Sequence, residues 1–236
     1  MVIARVGRLV AAALWLALAG CSHASPPVSQ SAAPASRPAP GSAPPDEPGR
    51  PKIVVLGDSL TAGYGLEPSQ AYPSLLQQKL DADGYRWGVV NAGVSGDTSA
   101  AGLARLDWAL GESDVRILIL ELGANDGLRG LSTVELEKNL GAIIAHAQQQ
   151  HIAVLLVGME APPNYGREYA AAFHNVYPDL AKRYRVTLLP FLLDRVAGIS
   201  ALNQADGIHP TAEGARIVAD NVWEQLKPMV DAARPS

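Results

Sequence analysis

The chain has 236 residues, enough for one good-sized domain with a real core, and 48% hydrophobic with 18% charged residues describes a globular protein. The net charge of −4, with no Lys/Arg-rich run and no basic stripe, argues against a nucleic-acid partner. The single cysteine excludes an internal disulfide and a thiolate zinc site, and the histidines at 23, 146, 151, 174 and 209 show no metal-ligand spacing, so neither metal nor cofactor is expected.

Residues 1–20 read as a targeting segment. Arg5 and Arg8 give it a positive start, and Leu9 to Ala19 is an apolar stretch too short for a comfortable membrane span. It closes on Leu18-Ala19-Gly20-Cys21, which resembles the bacterial lipobox. The resemblance implies cleavage before Cys21 and lipidation of that cysteine; the plainer reading is a secretory signal with an incidental cysteine. The expected location is therefore the cell envelope, membrane-anchored through Cys21 and facing the periplasm. Residues 21–50 are rich in Pro, Ser and Ala without apolar periodicity, the composition of a disordered, extended tether in which His23 is solvated.

The folded domain is expected over 51–236. Ile53-Val54-Val55-Leu56 is a short run of β-formers, apolar throughout, as a strand buried on both faces of a parallel sheet must be. Gly57 to Gly65 holds three glycines and reads as a loop, which places Ser59 just past the carboxyl end of the first strand, where open α/β sheets bind ligands. Tyr72 to Ala82 reads as a helix, ended by Gly84. Trp87 to Val90 reads as the second strand, followed by a polar stretch from Asn91 to Thr98. A helix capped by Asp97 or Thr98 should run to about Leu110. Ile117 to Leu122 is a third strand, ending in Gly123-Ala124-Asn125-Asp126-Gly127. Ser132 with Glu135 forms a capping box for a helix whose buried face is Leu136, Leu140, Ile143, Ile144 and Ala147. Ile152 to Val157, a loop from Gly158 to Arg167, a helix from Glu168 to Tyr184 and a strand from Val186 to Leu189 follow. An irregular stretch then leads to Asp206-Gly207-Ile208-His209-Pro210, and a last helix fills Ala212 to about Val230. Alternating strands and helices give a three-layer α/β/α domain with a flavodoxin-like parallel sheet of about five strands, order 2-1-3-4-5.

Ser59, Gly96 and Asn125 fall in the polar loops after the first three strands, and Asp206 and His209 lie three residues apart before the last helix. A serine hydroxyl is inert without a base and a place for the oxyanion, and these residues could supply both. The constellation resembles the SGNH, or GDSL, hydrolase family. Gly57-Asp58-Ser59-Leu60 is similar to its first block, Gly96 within Ser95-Gly96-Asp97-Thr98 to its second, Gly123-x-Asn125-Asp126 to its third, and Asp206-x-x-His209-Pro210 to its last. Gly102-Leu103-Ala104-Arg105-Leu106 and Gly127-Leu128-Arg129-Gly130 resemble the bacterial thioesterase I/lysophospholipase group, and Met159 to Gly166 is similar to arylesterase relatives.

The resemblance implies that Ser59 is the nucleophile, that His209 is its base and that Asp206 orients the imidazole. It further implies that the oxyanion hole is formed by the Ser59 and Gly96 N–H groups with the Asn125 side chain. Singly, Ser59 is readable as a turn residue, Asn125 and Asp126 as caps, and His209 as a surface histidine; all of them in the family order favour the catalytic reading. Asp58, Asp97 and Asp126 read as turn and cap residues, and His146, His151 and His174 as surface or structural. The tryptophans at 15, 87, 108 and 223 read as signal and core residues. The expected activity is hydrolysis of carboxylic esters or thioesters through an acyl-enzyme, on a small-molecule or lipid substrate. The acyl chain should lie along Leu128, Leu131, Ala161 and Pro162. The competing readings are a carbohydrate O-deacetylase on the same scaffold and a catalytically idle envelope lipid-binding protein.

Overall fold

The computed structural model describes residues 49–112 and 114–233. The targeting segment, Trp15, Cys21, His23 and all of the expected tether except its last two residues lie outside the described residues. Five parallel strands form one sheet in the order β2-β1-β3-β4-β5: β1 (Lys52–Gly57), β2 (Gly88–Gly93), β3 (Val115–Glu121), β4 (Ala153–Val157) and β5 (Thr187–Leu189). Every residue of β1 is buried, as are the last five of β3, which is why these strands are apolar on both faces rather than alternating. The helices are α1 (Ser59–Ala62), α2 (Tyr72–Ala82), α3 (Ser99–Ala104), α4 (Leu106–Ala109), α5 (Ala124–Leu128), α6 (Thr133–Gln149), α7 (Arg167–Tyr184) and α8 (Ala212–Ala232). Right-handed crossovers divide them between the two faces of the sheet. The packing agrees, with α2 against α8 in one set and α3, α6 and α7 in series in the other.

The chain reverses direction across the sheet between β1 and β3, and the site belongs at such a switch point. Gly57 pairs with Gly93 of β2 and with Glu121 of β3, so the three central strands end at one level. The segments carrying Ser59, Gly96 and Asn125 therefore leave the sheet side by side.

Five local features differ from the sequence expectation. The stretch after Leu56 is a loop only in part, because Asp58 caps a single helical turn, α1, by accepting the Leu60 N–H at 2.9 Å, and Gly63 ends that turn with φ +75°. The second strand begins at Gly88 and runs to Gly93, three residues beyond Val90. The helix expected to reach Leu110 breaks at Arg105, between α3 and α4. Thr98 caps α3, while Asp97 pairs with Arg105 Nε at 2.6 Å and Arg105 Nη2 donates to the Gly57 carbonyl at 2.9 Å. Trp108, read as core, is 70% exposed on α4. The Ser132 box is half formed: Ser132 Oγ accepts the Glu135 N–H, and the Glu135 carboxylate pairs with Lys138.

The turn α1 is pressed onto the end of β2 without room for a side chain between them. A Cβ at Gly93 would lie 2.3 Å from the Ala62 nitrogen and 2.8 Å from the Thr61 carbonyl carbon, all backbone atoms that cannot rotate away. Gly93→Ala should therefore destabilise the domain by about 1–3 kcal/mol, the usual range for overpacking, read as a lower urea midpoint with unchanged slope. An unaltered midpoint would contradict the close approach.

Candidate active site

Ser59 is the first residue of α1, so its N–H has no intrahelical partner. Its hydroxyl lies 2.9 Å from His209 Nε2. His209 Nδ1 lies 2.7 Å from Asp206 Oδ2, and the other carboxylate oxygen, Oδ1, accepts the N–H groups of Ile208 at 2.9 Å and His209 at 3.0 Å. A carboxylate beside Nδ1 fixes the proton there, which turns the Nε2 lone pair toward Ser59. The His209 backbone N–H, its ring and then the Ile208 N–H hold the Asp206 carboxyl down to about 2, so it stays ionised at any pH where an esterase would be assayed.

The loop carrying this pair is pinned on several sides. Asn203 and Pro210 form an antiparallel bridge, Gln204 N–H donates to the His209 carbonyl at 2.7 Å, and Gly207 turns at φ +70°. Gln204 Nε2 reaches across to the Tyr64 carbonyl at 2.7 Å, and the Tyr64 ring lies 4.6 Å from the imidazole, centroid to centroid. The imidazole is thus held by its carboxylate, its own backbone and an aromatic face before any substrate arrives.

Three N–H groups lie on the segments that leave the ends of β1, β2 and β3. Among the described residues neither the Ser59 nor the Gly96 backbone N–H has an acceptor. Asn125 Nδ2 gives one hydrogen to Asp58 Oδ2 at 3.2 Å, which leaves its second for an incoming oxygen. Gly96 has φ +86°, and a Cβ there would meet only Arg129 Nη2, at 3.8 Å. Glycine is required there by backbone conformation, rather than by crowding.

Asp126, expected as a cap, caps a different helix from its own. Its carboxylate accepts the Ser99 N–H at 2.8 Å and the Ser99 hydroxyl at 2.6 Å, which ties α5 to the start of α3. Asp58 caps α1 and orients the Asn125 amide at once. Burial pushes the Asp58 carboxyl up to about 6, against the pull of Leu60, Asn125 and His209.

The structure brings Ser59, Asp206 and His209 into one hydrogen-bonded line and sets Gly96 and Asn125 beside it. Leu128 ends α5 and Leu131 follows it, while Ala161 and Pro162 precede α7, and the two segments are tied together: the Tyr165 hydroxyl donates to the Leu128 carbonyl at 2.9 Å, and the Tyr169 hydroxyl of α7 to the Leu131 carbonyl at 2.8 Å. Leu128 and Leu131 keep about two-fifths of their surface open, 41% and 40%. A separate apolar hollow adjoins Ser59 and His209 on the α8 side, lined by Leu60, Tyr64, Leu66, Leu192 and Val218. At ≈ 10 Å³ it has room for about one water and none for an acyl chain.

Arg129 and Glu121 escaped the sequence reading. Arg129 Nη2 donates to the Gly96 carbonyl at 3.0 Å and so links the Gly96 segment to the end of α5. Glu121 is a wholly buried carboxyl at the end of β3, and its signal was available as one acid inside an otherwise apolar strand.

Residues 55–217 match the GDSL-like Lipase/Acylhydrolase family. The chain is 44% identical over 178 residues to the esterase TesA of Pseudomonas aeruginosa, covering 75% of this chain and 89% of that protein. It is 42% identical over 179 residues to thioesterase 1/protease 1/lysophospholipase L1 of Escherichia coli K12, covering 76% and 85%. The crystal structure of the psychrotrophic esterase EstA from Pseudoalteromonas sp., inhibited by monoethylphosphonate, superimposes with a TM-score of 0.73 at 33% identity, covering 76% of this chain and 98% of that one.

The Asp58 carboxyl gives the site a pH signature. Its folded pKa lies above the unfolded value, so the folded state keeps a proton that the unfolded chain releases. Its contribution to stability is full below about pH 4 and is lost as pH rises through about 6. Asn caps as well as Asp and does not titrate. The stability of Asp58→Asn relative to wild type should therefore rise between pH 4 and 6.5 in urea unfolding, and a flat difference would contradict the assignment.

Proposed function

The chain belongs to the GDSL-like lipase/acylhydrolase family, and from that premise we propose that it is a serine hydrolase cleaving carboxylic esters or thioesters through an acyl-enzyme. The observation that carries the reading is the unbroken line from Asp206 Oδ2 through His209 to Ser59 Oγ, at 2.7 and 2.9 Å. His209 Nε2 takes the Ser59 proton as Oγ attacks the acyl carbon. The charge that develops on the carbonyl oxygen is received by the Ser59 and Gly96 N–H groups and the Asn125 amide. His209 then protonates the departing alcohol or thiol. Water repeats the sequence on the acyl-enzyme, with His209 again as base and Ser59 as the leaving group. Asp206 stays ionised throughout and stabilises the imidazolium.

The substrate class follows from where an acyl chain can lie. The hollow on the α8 side is too small, so the chain is assigned to the open strip of Leu128 and Leu131 flanked by Ala161 and Pro162. An exposed apolar strip suits aryl esters, acyl thioesters and lysophospholipids better than a glycan. The relatives' names, esterase and thioesterase 1/protease 1/lysophospholipase L1, support the same range.

A p-nitrophenyl ester series from acetyl to palmitoyl tests this. Wild type should show a chain-length optimum, Ser59→Ala should abolish turnover, and Asn125→Ala should fold but lose on the order of a hundred- to a thousand-fold in kcat. Activity on acetyl alone would favour the deacetylase reading, and hydrolysis that survives in Ser59→Ala would remove the mechanism.

The sequence Leu18-Ala19-Gly20-Cys21 supports placing the enzyme in the cell envelope, anchored by acyl chains on Cys21. In the native host, Cys21→Ser should move the activity from the membrane to the soluble fraction and abolish labelling with radioactive palmitate. An enzyme that stays membrane-bound after the change would refute the anchor.

A further inference from the structure

Beneath the nucleophile lies a carboxyl that the acyl-transfer steps do not use. Glu121, the last residue of β3, has no exposure to solvent. A carboxyl so placed is costly unless its oxygens are paired or its proton is kept. Oε2 accepts from Thr61 Oγ1 at 2.7 Å and from the Asp58 N–H at 3.3 Å, while Oε1 has no partner among the described residues. Both donors belong to the turn that carries Ser59, Asp58 just before it and Thr61 two residues after. Gly57 leaves the space for this: a Cβ there would lie 2.0 Å from Thr61 Oγ1 and 2.5 Å from Glu121 Oε2. Thr61 Oγ1 also lies 2.8 Å from the hydroxyl of Tyr72, the first residue of α2.

We propose that Glu121 is a positioning residue for acyl transfer. Its Oε2 grips the α1 turn on both sides of Ser59 and so sets the Ser59 hydroxyl against His209 and the Ser59 N–H in the oxyanion site. The proposal rests on the serine-hydrolase reading above. Glu121 acts as a neutral acid. Burial first, and the Asp58 carboxyl next, keep its proton on well above the usual carboxylate range. Asp58, the other member of the pair, is then the one that accepts from Leu60 and Asn125. Only an acceptor at Oε2 is needed, so glutamine can replace glutamate, whereas a side chain that merely fills the space cannot.

The test measures kcat and KM on a p-nitrophenyl ester for wild type, Glu121→Gln, Glu121→Leu, Thr61→Val and Thr61→Ser. Active sites are counted by stoichiometric reaction with a p-nitrophenyl phosphonate, so that loss of folded protein is not read as loss of rate. Glu121→Gln should stay within about threefold of wild-type kcat. Glu121→Leu and Thr61→Val should lose about ten- to a hundred-fold in kcat with KM nearly unchanged, because a nucleophile misplaced by an ångström reacts slowly however well substrate binds. Thr61→Ser, which restores the donor, should restore the rate. Leucine or valine variants with wild-type kcat per titrated site would overturn the proposal and leave Glu121 a packing group. A glutamine variant as slow as the leucine one would overturn the neutral-acceptor role. Should Glu121→Leu not fold, Thr61→Val decides, since valine keeps the shape of threonine. Hydrolysis that survives in Ser59→Ala would overturn the underlying reading as well, and is thereby distinguished from failure at Glu121 alone.

Discussion

Everything at the carboxyl edge of the sheet depends on how tightly one turn of helix is pressed onto the ends of three strands. β1, β2 and β3 stop at the same level, and two of the three end in glycine, at Gly57 and Gly93. A Cβ at either would strike α1 or the Thr61–Glu121 contact. With the turn seated that low, the segments carrying Ser59, Gly96 and Asn125 leave the sheet side by side, and Arg129 ties the Gly96 carbonyl to Asn125. In the mechanism proposed above, fixed donors on such segments need no rearrangement when charge develops on a substrate oxygen.

The acids around Ser59 are separated by their surroundings. Asp206 sits in an exposed loop with two backbone N–H groups and a ring nitrogen on its oxygens, and it is pushed down to about 2. Asp58 and Glu121 lie under the turn with no exposure, and both are pushed up. The exposed acid is held charged beside the imidazole, and the deepest one is held neutral. A charged Glu121 would leave one anionic oxygen buried and unpaired next to a second carboxyl, which the protein avoids by keeping the proton.

Much of this was readable in the residues. The sheet order follows from the succession of apolar runs and helices, and α2, from Tyr72 to Ala82, begins and ends where the periodicity places it. Ser59, Asn125, Asp206 and His209 stand in short motifs, so their proximity could be anticipated from family resemblance. What stayed hidden depends on partners far along the chain. Arg105 breaks a helix because its guanidinium is drawn to a carbonyl 48 residues back, and Gln204 pins the histidine loop through a carbonyl 140 residues away. Glu121 and Thr61 are 60 residues apart and meet only because β1 and β3 are neighbours. Trp108 misled for the opposite reason: a large apolar side chain implies burial, and no local pattern marked the solvent side of a four-residue helix.

The strand that leads to Ser59 also fixes where that residue lies relative to the chain's entry into the fold. Arg50 lies beside Asp81, at the edge where β1 and β2 begin, and Ser59 lies past the far end of β1. Six residues of strand separate the two edges by roughly 20 Å at about 3.3 Å per residue. The residue through which the described chain enters the sheet and Ser59 therefore lie at opposite ends of β1.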